Sequence, residues 1–242
     1  MSTFKIPLLL AIALGTHATM TPPNPPPPSA EQLPPRGIER VAPKWVPLLF
    51  KVGRRVHLLV HASFLTCTLS ESLVILARRF PSLPFGSEIL TILDPAEGAS
   101  RLAFTPLFLL GTALTLTGAA LRVHCYATLR TLFTFQLGIH ADHQLITTGP
   151  YAIVRHPSYS GGVLAGTGVV ICTLAPGAWA VECTGLLRPK GFLALWGIGF
   201  AAAWIGLRTR MRKEDVMLKE RFGKEWDQWA ARVPYWIVPG VY

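Results

Sequence analysis

The chain has 242 residues, half of them hydrophobic and only 15% charged, where an ordinary soluble domain carries about 25%. Together with a mean hydropathy of +0.39, this balance excludes a disordered chain, a coiled coil, collagen and a water-soluble domain. The net charge of +10 reflects 23 Lys and Arg against 13 Asp and Glu, and the basic residues flank apolar stretches. That is the bias of a membrane protein, not of a nucleic-acid binder. The fold class expected is all-α, a polytopic membrane helical bundle of about five spans.

In chain order, Lys5 followed by Ile6 to Leu14 and Thr16-His17-Ala18 has the outline of a secretory signal peptide. We read it instead as a retained first helix running to about Met20, because such segments on multispanning proteins are often signal anchors. Pro22 to Pro35 holds eight prolines and reads as a stiff extended connector rather than a docking site for a partner domain. Residues 1–45 thus form an N-terminal hydrophobic segment and Pro-rich connector, ahead of a membrane domain over 46–242. Val56 to Ala77 is a candidate span interrupted by His57, His61 and Glu71, and Glu71 there should face other helices or an interface. Leu102 to Leu121, Tyr159 to Val181 and Gly191 to Leu207 carry no charge over 20, 23 and 17 residues. About twenty helical residues cross a hydrocarbon core. Cys67, Cys125, Cys172 and Cys183 lack any metal or disulfide spacing and read as small hydrophobes.

With five spans, 17 of the 23 basic residues fall on one face, which the positive-inside rule assigns to the cytosol. Two polar segments share that face. Gln136 to Gly161 contains His140, His143, His156, Arg155 and a Gly-Pro turn; Arg208 to Val233 reads as a helix with Phe222, Trp226 and Trp229 as its apolar stripe, interrupted at Gly223. His140 and His143 lack a third ligand pattern, so no metal is expected. Ser158 and Ser160 lack a nucleophile elbow. Gly161-Gly162 with Gly166 and Gly168 is not a dinucleotide fingerprint, and in an apolar span such residues mean close helix packing.

The segment Gly149-Pro150-Tyr151 through Arg155-His156-Pro157-Ser158-Tyr159-Ser160-Gly161 resembles the signature G-x-Y-x-x-x-R-H-P-x-Y-x-G of the isoprenylcysteine carboxyl methyltransferase family. Gln136, seven residues before His143-x-Leu145-Ile146-Thr147, matches its upstream part. Arg210, Glu214, Asp215, Leu218, Phe222, Gly223, Glu225, Trp226, Trp229, Val233 and Pro234 match its downstream part. The motif-bearing region is 136–234. Asp215 stands where the family usually has Glu, and Trp226 and Trp229 where it usually has Tyr.

The resemblance implies S-adenosylmethionine-dependent methylation of the C-terminal α-carboxylate of prenylated cysteine in CaaX-processed proteins. It also implies a multi-pass protein of the endoplasmic reticulum membrane, with a cofactor pocket formed by a loop and a C-terminal helix and facing the cytosol. Its partners would be the prenylated cysteine and the lipid bilayer, with neither nucleic acid nor metal. Arg210 and Glu214 would be catalytic, with Arg210 binding the substrate. Gln136, His143, Gln144, Leu145, Ile146, Tyr151, His156, Pro157, Ser158, Tyr159 and Glu214 would bind S-adenosylmethionine. An α-carboxylate of pKa about 3.5 is already ionised at pH 7 and needs no general base, so catalysis reduces to positioning and desolvation. A planar guanidinium such as Arg210 can orient a carboxylate through two parallel hydrogen bonds. The role of Arg155 is left open by the motif; it would anchor the loop to helix ends or to lipid phosphate rather than touch either ligand. A lateral opening for the prenyl chain is expected between the spans ending near Leu121 and starting near Tyr159. The rivals are a phospholipid N-methyltransferase, whose amine acceptor would be repelled by Arg210, and a membrane sterol reductase, whose related motif lacks Pro157.

Overall fold

Apolar runs longer than a membrane is thick leave the backbone no partner but itself, and helix is the result wherever such runs occur. The computed structural model describes residues 3–25, 46–134, 144–185 and 190–241, with the side chains of 46–57, 190–200, 202 and 203 excepted. These residues form helices α1 (Lys5–Met20), α2 (Val46–Arg79), α3 (Gly86–Leu93), α4 (Pro106–Leu129), α5 (Pro157–Leu174), α6 (Trp179–Glu182), α7 (Lys190–Phe222) and α8 (Lys224–Arg232), with no strand among them. Two described segments, Leu58–Arg79 and Pro106–Leu132, are long and apolar enough to cross a membrane; Lys5–Met20 is apolar but shorter. The all-α expectation holds for the described residues.

Local chemistry sets the helix ends, and several lie away from where charge-free runs place them. α4 starts at Pro106 instead of Leu102 because the Thr105 side chain accepts the Phe108 N–H and proline occupies the first turn. It continues past Arg122 to Leu129, since that cation is engaged by protein groups. The run Tyr159 to Val181 is not one helix: Ala175-Pro176-Gly177 breaks it, with Gly177 at φ 83°, before the short α6. The run Gly191 to Leu207 and the polar helix that follows it are one element, α7, which stops where Gly223 adopts φ 54°. Most of the Pro-rich connector lies outside the described residues.

Contacts at the two ends fix the directions of the helices. At one end Lys5 Nζ pairs with the Glu71 carboxylate and donates to the carbonyls of Ala103 (2.8 Å) and Gly177 (2.9 Å), while Glu71 accepts from the Trp179 N–H (3.0 Å). Both charged side chains are buried, so Glu71 does face other helices, and Lys5 lies 4.5 Å from the Phe108 ring. At the other end Tyr126 Oη reaches the carbonyls of Ala18 and Thr19, and Arg122 Nη1 donates to Ser158 O. Helices α1 and α4 therefore run towards this second end, and α5 runs away from it. The core between them includes Leu9, Ile12, Phe64, Ile75, Phe108 and Val169.

Helices α4 and α5 touch backbone to backbone. A Cβ on Gly118 would lie 2.5 Å from Gly161 O, and one on Gly168 would lie 2.4 Å from Gly111 O. Gly111 and Gly118, like Gly161 and Gly168, are two turns apart, so one small residue per two turns meets its counterpart on the antiparallel neighbour. This seam is closed. The lateral opening expected between these two helices is not there, because their small residues bring the backbones together instead of leaving a gap. Gly166, with nothing within 4 Å of its Cβ position, points away from the seam.

Candidate functional site

Two segments far apart in sequence meet at the second end of the bundle. One is the irregular stretch from Gln144 through the first turn of α5, turned by Gly149 at φ 60° and the short 3-10 segment Gly149–Ala152. The other is the C-terminal half of α7 with the tail after α8. The tail joins the loop by main-chain pairing: Arg155 N–H donates to Tyr235 O (2.9 Å) and His156 N–H to Trp236 O (2.8 Å). Ser160 Oγ adds a hydrogen bond to Ile237 O at 2.6 Å.

From this frame Tyr159 projects towards α7. Arg210 Nε donates to Tyr159 Oη (2.6 Å), and Tyr159 Oη donates to Glu214 Oε2 (2.8 Å). Arg210 and Glu214, one helical turn apart, are thus joined through a phenol supplied by α5. His156 is 3% exposed, with Nδ1 3.9 Å from Glu214 Oε2. Its Nε2 lies 3.0 Å from Asp215 Oδ1, an ion-pair distance without hydrogen-bond alignment. Glu214 is half-buried, so its carboxylate is held from one side and open on another.

Arg155 does not join this group. Its Nη1 pairs with Asp215 Oδ2 (2.8 Å), its Nη2 donates to Pro234 O (3.2 Å), and its plane lies 5.3 Å from the Trp236 ring. Partial burial pulls its pKa below the ordinary guanidinium value, and the Asp215 charge opposes that shift. It clamps the loop to α7 and the tail, answering the anchoring expectation with protein partners.

The remaining sequence-derived residues separate by position. Gln136 and His143 lie outside the described residues. Gln144 is exposed. Leu145 and Ile146 pack on a buried cluster of Cys125, Tyr151, Trp226, Trp229 and Val233, the floor beneath the loop. Tyr151 is buried there, and its carbonyl accepts from Trp229 Nε1 (3.1 Å). Burial first and Cys125 second raise its phenol above the ordinary range, so it stays neutral. Pro157 is fully buried at the start of α5, and Ser158 turns towards Arg122 rather than towards Arg210. Two residues were given no role by sequence: Asp215, a motif position where the family usually has Glu, and Arg122. Asp215 is buried against Arg155 and His156, sixty and fifty-nine positions away, and no local spacing reveals a pairing across that distance. Among the described residues no cluster of three or more His, Cys, Asp or Glu is arranged to hold a metal.

Comparison with known proteins bears on the same segments. Residues 110–220 match the model of the isoprenylcysteine carboxyl methyltransferase (ICMT) family. The chain is 30% identical over 129 residues to protein-S-isoprenylcysteine O-methyltransferase B of Arabidopsis thaliana, covering 51% of this chain and 55% of that protein. It is 30% identical over 95 residues to the protein-S-isoprenylcysteine O-methyltransferase of Homo sapiens, covering 38% and 26%. A delta(14)-sterol reductase of Gibberella zeae is 30% identical over 117 residues, covering 41% and 24%. The chain spans about half the length of the curated plant relatives it matches. No solved structure matches it.

Proposed function

We propose that this chain, whose residues 110–220 match the isoprenylcysteine carboxyl methyltransferase family, transfers a methyl group from S-adenosylmethionine to the α-carboxylate of a C-terminal prenylated cysteine. The observation that carries this reading is the Arg210–Tyr159–Glu214 chain, which brings a carboxylate-binding cation and an acid together at the mouth of the loop.

The donor set fits the methyl donor. S-adenosylmethionine is cationic at its sulfonium, and the half-open Glu214 carboxylate with the Tyr159 ring beside it suits a cation. Bound there, the group supplies an electrophilic methyl carbon. Arg210 then holds the acceptor carboxylate, which is already ionised, so no residue has to remove a proton. Tyr159 fixes the guanidinium through Nε. The floor of Tyr151, Trp226 and Trp229 keeps water away from below, which strips the nucleophile of hydration. Exposed Ile205 and Trp204, just before Arg210 on α7, offer an apolar approach for the prenyl chain in place of the closed α4–α5 seam.

The family resemblance and the basic residues flanking the apolar runs support reading it as a bundle of about five spans in the endoplasmic reticulum membrane, with the site facing the cytosol. That is where proteins bearing CaaX-derived prenylcysteine and S-adenosylmethionine would both be available. A phospholipid N-methyltransferase would place an amine against Arg210, an unfavourable pairing. The sterol reductase likeness covers a quarter of that relative and leaves the Arg210–Glu214 pair without a carboxylate to orient. The test is methyl transfer from labelled S-adenosylmethionine to N-acetyl-farnesylcysteine in membranes containing the protein. Base-labile methyl ester is expected; sterol-dependent NADPH oxidation without ester formation would overturn the reading.

A further inference from the structure

Arg122 is a cation at the loop end of the close-packed α4–α5 seam. It is half-buried and bridges its own helix α4 to the first turn of α5. Nε donates to Tyr126 Oη (2.8 Å), and Nη1 donates to both Ser158 O (3.1 Å) and Ser158 Oγ (3.3 Å). The guanidinium carbon lies 5.5 Å from the Tyr126 ring and 6.0 Å from that of Phe133. Its path along α5 exists because two residues there lack side chains. A Cβ on Gly161 would sit 3.3 Å from Arg122 Cγ, and one on Gly162 would sit 3.2 Å from Nη1.

Ser158 immediately precedes Tyr159, the residue that joins Arg210 to Glu214, and follows His156 by two. A guanidinium holding both the carbonyl and the hydroxyl of Ser158 therefore fixes how far the first turn of α5 is rotated about its axis. At a radius of several ångströms from that axis, a small rotation moves the Tyr159 hydroxyl off Glu214. Tyr126, the other partner of Arg122, reaches the last carbonyls of α1, so the same guanidinium references the site to the amino-terminal helix.

We infer that Arg122 is a positioning residue for the methyl-donor half of the site, acting through Ser158 on the orientation of Tyr159 and Glu214. The inference rests on the proposed methyl transfer. It predicts a split that a merely structural residue would not produce. Tyr159 also accepts from Arg210 Nε, but Arg210 keeps its charge and its terminal nitrogens for the acceptor carboxylate. Glu214, by contrast, faces the donor and is oriented by the Tyr159 hydroxyl. Loss of Arg122 therefore weakens the donor's binding more than the acceptor's.

The experiment measures KM for S-adenosylmethionine and for N-acetyl-farnesylcysteine, with kcat and melting temperature, on purified full-length protein in nanodiscs. Arg122→Gln is expected to raise the donor KM by about tenfold, the scale of losing a charged hydrogen bond, while the acceptor KM changes by less than about twofold. Arg122→Lys should recover only part, because an ammonium cannot hold Ser158 and Tyr126 in the same planar fork. Gly162→Ala, which keeps the arginine but crowds Nη1, should give a smaller rise of the same sign, and it replaces Arg122→Gln should that variant not fold. Folded variants with unchanged donor KM, or with both KM values raised together, overturn the inference. Wild-type protein that forms no ester overturns the methyl-transfer reading itself, and the inference falls with it; ester formation by the wild type with unaltered variants overturns the inference alone.

Discussion

Arg210 carries the sharpest expectation among single residues. If its guanidinium orients the acceptor carboxylate while Nε is held by Tyr159, Arg210→Lys keeps the charge and loses the planar geometry. A displacement of about 1 Å costs about a hundredfold in rate, so methylation should collapse to that extent while S-adenosylmethionine affinity changes little. Near-normal turnover in the folded Lys variant would remove the role. Tyr159→Phe tests the link from the other side, since it deletes the acceptor of Arg210 and the donor to Glu214 together. An activity loss of about tenfold or more is expected, measured beside wild type at saturating donor; full activity would show that the hydroxyl is dispensable. Arg210, Glu214, His156 and Tyr159 were legible as motif positions because each keeps its residue type at a fixed spacing. The roles of Asp215 and Arg122 were not legible, since their partners are distant in sequence and a charge beside a span looks like an ordinary flanking residue.

Among the elements, the α4–α5 pair and the α1–α2 pair are held by opposite means. The first uses the absence of side chains. Gly161→Leu would drive a Cβ to 2.7 Å from Gly118 O, and such overpacking costs about 1–3 kcal/mol; Gly166→Leu, with open space at its Cβ, should cost far less. Thermal melts of the two variants in detergent would check the contrast, and equal losses would contradict the seam. The second pair uses charge. Lys5 and Glu71 are each about 5% exposed or less, so Lys5→Met strands a buried carboxylate at a cost of about 3–5 kcal/mol. Lys5→Met with Glu71→Leu should recover most of that stability, and a double variant as unstable as the single would refute the pairing. The hydropathy of 1–20 fits a cleaved signal and a retained helix equally. Within the structure α1 supplies the cation that Glu71 pairs with.

For the whole molecule, the loop and the α7 C-terminus must lie on one side of the membrane, since Tyr159 touches both Arg210 and Glu214. Single cysteines at the exposed positions Gln144 and Lys224 should label from the same side, and one at exposed Phe85 from the other; Gln144 and Lys224 on opposite sides would exclude the arrangement. The sequence alone determined the helical class, the membrane setting and the motif residues, because hydropathy over about twenty residues and fixed short spacings are local properties. It misplaced helix ends where Thr105 or Pro176 acted, placed the break at Gly223 correctly, and expected an opening where glycines close a seam. Which charges pair was decided only in three dimensions. Lys5 with Glu71, Arg155 with Asp215 and Arg122 with Ser158 are separated by 36 to 66 positions. A cation brought out of water must find its counter-charge or acceptor in space, and only the packed bundle fixes which one is within reach.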